Sequence, residues 1–190
     1  MAGKLVLVIG PTGSGKGTLL KHVAQAIPGL VFPVSCTTRA QRPGEREGET
    51  YYFVTAEEFE RRIEAGDFLE YASYGGNWYG TLKSEILPAV EHGKLVIREV
   101  EVQGARQIQE KISSDILRIV YVDAGSWEDL EKRILARAPI GQPELIARRK
   151  RYEDETSFKK EASVIVKNPD GKLEEAKRDF ETAIHTIAAE

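Results

Sequence analysis

The chain alternates between short apolar runs and longer stretches in which apolar residues recur every three or four positions. LVLVI (Leu5 to Ile9) is continuous and rich in branched side chains, as a strand buried on both faces requires. LVI (Leu95 to Ile97), ILRIVYV (Ile116 to Val122) and SVIV (Ser163 to Val166) are expected to be further interior strands. Between them the period lengthens. Leu20, Val23, Ala24 and Ile27 mark one helix; Trp127, Leu130 and Ile134 mark a second, with Ser126 as its N-cap. Leu173, Ala176, Phe180, Ile184 and Ile187 mark a closing helix. Strands alternating with helices predict an α/β fold, a parallel central sheet with helices on both faces.

Two segments break this rhythm. Residues 33–82 are polar and aromatic, with strand-like pieces YYFV and FLEYASY and a helix opened by the capping box Thr55-Ala-Glu-Glu58. Residues 125–152 carry the proline- and glycine-containing stretch APIGQP flanked by arginines. The first is expected to be an inserted substrate-binding subdomain and the second a lid, on a single domain whose core is 1–32, 83–124 and 153–190.

Composition narrows the class. The 190 residues, 41% apolar and 30% charged, suit one soluble domain with a substantial core. A formal net charge of -3 argues against a general nucleic-acid binder, though not against local sites for small anions. One cysteine, Cys36, rules out an intramolecular disulfide framework and suits a reducing, cytoplasmic setting. No apolar run is long enough for a membrane span, and Met1-Ala2 is not a myristoylation start, so no membrane partner is expected.

The chemistry begins at GPTGSGKGT (Gly10 to Thr18), where a glycine is followed by four residues and then Gly-Lys, after a buried strand and before a helix. That context is a P-loop, and the expected architecture is the P-loop NTPase fold. Gly10, Pro11, Thr12, Gly13, Ser14, Gly15, Lys16, Gly17 and Thr18 would cradle the phosphates of ATP. Glycines let backbone N–H groups point inward, and the helix start adds roughly half a positive charge. Lys16 would reach the β- and γ-phosphates. A serine or threonine normally follows that lysine to help hold Mg²⁺; here it is Gly17, and Thr18 is the candidate hydroxyl one position later. This Gly-Lys-Gly-Thr form resembles that of nucleoside monophosphate kinases, which implies Mg²⁺ held with ATP largely by phosphates and water.

VSCTTRAQRPGEREGETYYF (Val34 to Phe53) gathers three arginines, three glutamates and two adjacent tyrosines. From Ser35 onward it resembles the substrate-binding segment of guanylate kinases, and the resemblance continues through FLEYASYGGNWYG, EVEVQGAR (Glu99 to Arg106) and VKNPD (Val166 to Asp170). The family implies GMP contacts at Ser35, Arg39, Arg42, Tyr51, Glu70, Tyr79, Thr81 and Glu101. The chemistry agrees. A dianionic phosphate suits Arg39 and Arg42, whose guanidinium groups bind two oxygens at once, with Tyr51 and Tyr79 completing the shell. Guanine offers two donors, N1–H and the exocyclic amine, and one acceptor, O6. Glu70 and Glu101 suit the donors; Ser35 and Thr81 suit O6. Glu101 stands where the family usually has aspartate, one methylene shorter, and Glu99 is paired with it as a ligand of guanine or of metal-bound water.

Phosphoryl transfer needs alignment and cations more than covalent chemistry. The lid supplies Arg133, Arg137, Arg148, Arg149 and Arg151. By resemblance Arg137 matches one arginine that approaches the transferring group, and Arg149 the second, with Arg148 the contender. The catalytic set is therefore Lys16, Arg42, Arg137 and Arg149, and the implied reaction is MgATP + GMP = MgADP + GDP. The alternatives are a catalytically silent protein-binding module of the same family, or a P-loop kinase of another small phosphate ester. Several neighbours are read as structural: Phe53 as core, Cys36 as a buried inert thiol, and Glu45, Arg46, Glu47 and Glu49 as a solvated turn. His22, His92 and His185 lack metal-ligand spacing or an adjacent nucleophile, and the sequence leaves the oligomeric state open.

Overall fold

Five consecutive apolar residues can only be buried together if both faces of their strand are covered, and β1 (Lys4–Ile9) meets that condition, with Leu5 through Ile9 essentially inaccessible. In the computed structural model, which describes residues 3–137 and 140–190 with Arg137 through its backbone alone, β1 is interior to a four-stranded sheet. The order is β6 (Leu95–Glu99), β1, β7 (Leu117–Asp123), β8 (Val164–Lys167), all parallel. Helices α1 (Lys16–Ala26), α4 (Val102–Gln109), α5 (Trp127–Arg137), α6 (Gln142–Ser157) and α7 (Leu173–Ala188) alternate with these strands. The α/β expectation holds. Neither LVI nor SVIV is interior, however: β6 and β8 are the two end strands of the order, with Val31 bridged to Val96 of β6. β8 ends the sheet, and Ile165 is 44% exposed, because an edge strand needs only one covered face. The stripe of α1 also differs: Leu19 and Val23 are its buried pair, while Ala24 is exposed.

The chain divides into two compact units. The first holds the described residues up to Leu5, Val31–Arg98 and Gln103–Leu117. Its own sheet has the order β3 (Tyr51–Phe53), β2 (Ser35–Thr37), β5 (Asn77–Leu82), β4 (Phe68–Tyr74), with β2 parallel to β3 and antiparallel to β5. Gly75 and Gly76 join β4 to β5, both at positive φ, as a two-residue hairpin requires. α2 (Ala56–Glu64) starts where expected, with Thr55 Oγ1 accepting from the Glu58 N–H at 3.1 Å. The Glu58 carboxylate meets Arg61 and Arg62. α3 (Lys83–Glu91) follows β5 directly.

Alternation along these strands separates two faces. Cys36, Phe59, Phe68 and Leu82 form a small core, with Tyr52, Tyr71 and Trp78 against it and the Phe59 and Phe68 rings stacked at 4.4 Å. Cys36 is fully buried, and burial pushes its thiol above the usual range, so it is inert. Phe53 is not part of this core. It sits one residue out of phase with Tyr52, half-buried, on the face that carries Arg39.

The second unit comprises Val6–Leu30, Glu99–Val102 and Arg118–Glu190. α5 begins at its predicted cap, with Ser126 Oγ accepting from the Asp129 N–H at 3.3 Å. Trp127 and Ile134 of α5 pack with Leu145 of α6, and the Tyr152 hydroxyl donates to the Gly125 carbonyl at 3.2 Å. His22 pairs with Glu181 of α7 at 2.8 Å, a structural contact.

Candidate active site

Between β1 and α1 of the second unit the backbone turns through Gly10, Gly13 and Gly15, all at positive φ. Gly15 is the N-cap of α1, which has no side-chain cap, so the first turn keeps N–H groups for an anion. A Cβ on Gly15 would lie 2.4 Å from Asn168 Nδ2, so no larger residue fits. Asn168 is buried and donates Nδ2–H to the Ser14 carbonyl at 2.8 Å, bracing the loop from the end of β8. The sequence marks Asn168 only as a polar residue just past a strand, in VKNPD.

A cavity of about 590 Å³ opens on this loop, lined by Thr12, Gly13, Gly15, Lys16, Gly17, Thr18, Lys21, Glu99 and Arg133. Its size suits a nucleotide's phosphates. Lys16 Nζ donates to the Gly10 and Pro11 carbonyls at 2.5 and 3.2 Å and lies 3.5 Å from Glu99 Oε1. Arg133 is held by Asp170 at 2.5 Å and by the Asn168 carbonyl at 2.8 Å. A second hollow joins Gly10, Thr12, Lys16 and Glu99 to Val100, Glu101 and Glu155. Burial pushes the Glu155 carboxyl up to about 7, with Glu101 raising it further while Lys16 and Arg151 oppose. Nothing local in the sequence singled out Glu155. Both Glu99 and Glu101 thus belong to the unit of the phosphate loop, beside Lys16.

On α6, Arg148 is half-buried and bonds Glu144 at 2.6 Å, whereas Arg149 is exposed. Arg137 ends α5; its side chain, with Ala138 and Pro139, lies outside the described residues.

The other candidates share one face of the first unit's sheet. Register pairs Tyr51 with Ser35, Ser35 with Thr81, and Thr81 with Glu70, forming a single transverse row. The next row on that face is Phe53, Thr37, Tyr79 and Ala72. Glu70 reaches its place through a bulge between Phe68 and Glu70; an uninterrupted strand would put Phe68 on the same face as Glu70. Ser35, Glu70 and Thr81 are each more than nine-tenths buried, and Thr81 Oγ1 donates to Glu70 Oε1 at 2.5 Å. A Cβ on Gly104 would lie 2.9 Å from Glu70 Oε2, so the glycine makes room for this carboxylate. Gln107 of α4 holds Tyr71 of β4 through both backbone groups, at 3.1 and 2.9 Å. These supports of β4 join segments far apart in the chain and leave no local signal in the sequence.

Along the same face, the Arg39 guanidinium lies 5.4 Å from the Tyr51 ring centre and 5.8 Å from that of Phe53. Hydrogen bonding to Glu45, and then to Tyr79, holds its proton more tightly than usual. Glu45 is therefore not a merely solvated residue. It accepts from Arg39 Nη2 at 2.6 Å and from the Arg42 N–H at 2.8 Å, and both bonds lower its carboxyl below the ordinary range. Glu47 likewise caps the Phe53 N–H at 2.9 Å, while Arg46 and Glu49 are exposed. The structure thus gathers Arg39, Tyr51 and Tyr79, with the exposed Arg42 on the adjoining turn.

A family model described as guanylate kinase matches residues 2–187. A guanylate kinase of Trichormus variabilis is 39% identical over 186 residues, covering 98% of this chain and 88% of its own. One of Thermotoga maritima is 39% identical over 168 residues, covering 88% and 80%. The crystal structure of a guanylate kinase from Anaplasma phagocytophilum superimposes with a TM-score of 0.72 at 25% identity, covering 100% of this chain and 88% of that one.

Proposed function

We infer the activity from the family to which this chain belongs, that of the guanylate kinases. The chain transfers the terminal phosphoryl group of ATP to GMP, giving ADP and GDP. One observation carries the assignment beyond the family name: a buried row of hydroxyl, hydroxyl and carboxylate, Ser35, Thr81 and Glu70, on the sheet face that also carries Arg39. Buried polar groups with that donor and acceptor order suit a guanine edge, and a wrong base would leave them unpaired.

The roles follow from chemistry. The backbone N–H groups from Gly10 to Thr18 and Lys16 bind the ATP phosphates, and Lys16 offsets charge as it moves outward. Arg39, Arg42, Tyr51 and Tyr79 bind the GMP phosphate and fix the attacking oxygen. Ser35 donates to O6, and Glu70, which accepts the Thr81 proton and is oriented by it, takes N1–H and the amine. Arg137 and one of Arg148 or Arg149 stabilise the charge that spreads over the transferring group. Thr18 and Glu99 put oxygen donors on the phosphate cavity, a set that fits Mg²⁺. Bound with ATP, that ion would neutralise part of the phosphate charge. Glu101 stays a candidate for the base, with its place beside Lys16 and Glu155 also favouring a share in the phosphate site. Among the described residues no helix is long and apolar enough to cross a membrane, and the single buried cysteine supports a cytoplasmic setting.

The test is ADP release measured with GMP, dGMP, AMP, CMP and UMP in turn. GMP should exceed AMP in kcat/KM by roughly 10⁴-fold or more. Equal use of AMP and GMP would overturn the guanine site, and no ADP with any nucleotide would leave a silent binding module.

A further inference from the structure

Ser35 does not stand alone at its end of the row. Val31 forms a parallel bridge with Val96 of β6, its N–H donating to Leu95 and its carbonyl accepting from Ile97. The chain then runs four residues to Ser35, and Arg98, two beyond Val96, follows it: an Arg98 Nη2–H donates to Ser35 Oγ. Arginine carries donors and no acceptor, so the Ser35 proton cannot return to Arg98. With Ser35 only 4% exposed, that proton is shielded from bulk water and is available to a base seated on the row. The row therefore runs from a cation-backed hydroxyl at Ser35, through Thr81, to a carboxylate at Glu70.

Resting on the guanylate kinase reading, we propose that Arg98 is a positioning residue for base specificity, fixing Ser35 as a donor toward an oxygen acceptor at the purine 6-position. A base with a 6-amino group brings a donor against a donor there. Without Arg98 the hydroxyl can rotate and accept, so discrimination at that one position relaxes. The 2-amino end of the base, read by Glu70, is not affected.

Steady-state kcat/KM is measured for GMP, IMP and the 5′-monophosphate of 2,6-diaminopurine riboside. IMP keeps O6 and N1–H and lacks the 2-amino group; the diaminopurine nucleotide keeps that amine, replaces O6 by an amine and carries no proton on N1, the N1 change being common to every variant compared. Arg98→Met should lower the preference for GMP over the diaminopurine nucleotide by about tenfold while the GMP to IMP ratio moves less than about twofold. In a Ser35→Ala background the same substitution should change that preference less than about threefold, because its effect runs through Ser35. Arg98→Gln, whose amide oxygen can accept the Ser35 proton, should relax the preference as methionine does, and serves if Arg98→Met fails to fold. Arg98→Lys, which keeps a charged donor, should restore most of it. A preference held within twofold in the methionine or glutamine variant, or equal shifts in both ratios, overturns the role of Arg98. A parent chain that fails to phosphorylate GMP refutes the kinase reading instead.

Discussion

Glu155 illustrates how a single carboxyl can weigh on stability without a partner of its own sign being far away. It shares a hollow with Lys16, Glu99 and Glu101, and burial is the main reason its carboxyl is pushed up to about 7. A carboxyl raised above its unfolded value favours the protonated folded state. Its contribution is fully present below the ordinary carboxylate range near 4.5 and is lost as pH rises toward 7. Replacing it by the neutral isostere should therefore help at alkaline pH and not at acid pH. Urea unfolding of Glu155→Gln should show a gain over the parent at pH 8 on the order of 1–3 kcal/mol, shrinking to nothing near pH 4.5. A gain that is the same at both pH values would mean the effect is packing and not ionisation. Residue identity alone did not announce this: the glutamate looks like any other on a charged helix, and only the fold brings Lys16 and Glu101 to it.

At the level of the element, α6 bears on a choice that spacing left open. Leu145 is its buried apolar residue, whereas Ile146 is 67% exposed. Counting from Leu145, the stripe continues through Arg148, Tyr152 and Glu155 at the seven-residue repeat of one helix face. Arg149 lies about 120° around the helix from Glu155, at about 100° per residue. Spacing from Ile146 pointed to Arg149; with the buried Leu145 as the anchor instead, we propose Arg148 for that role. Arg148→Ala should lower kcat by at least about 10²-fold, and Arg149→Ala by no more than about threefold. The reverse order would restore Arg149 to the catalytic set. A strand shows the same lesson. FLEYASY reads as a strand, but the bulge that turns Glu70 away from Phe68's face depends on the pairing of β4 with β5.

For the whole molecule, a ligand that binds the folded chain alone must raise its stability by mass action. GMP at one hundred times its Kd should add about 2.7 kcal/mol, or roughly 5–10 °C in Tm for a chain of this size, while AMP at the same concentration should leave Tm within about 1 °C. Calorimetry giving equal shifts for the two nucleotides would count against the base-reading row. The amino-acid sequence by itself determined the phosphate loop, the buried strand before it and the αβ alternation, because each is encoded in neighbours a few positions apart, whereas the candidate residues of the nucleotide pocket came from resemblance to the guanylate kinases. Only the tertiary structure decided that Phe53 faces Arg39 and not the core, that β8 is an edge, that Glu45 holds Arg39, and that Arg98 backs Ser35 from 63 residues away. Local periodicity fixes what an element is. Which side chains meet depends on strand register, bulges and helix phase, and those are set by packing between segments that the linear order keeps apart.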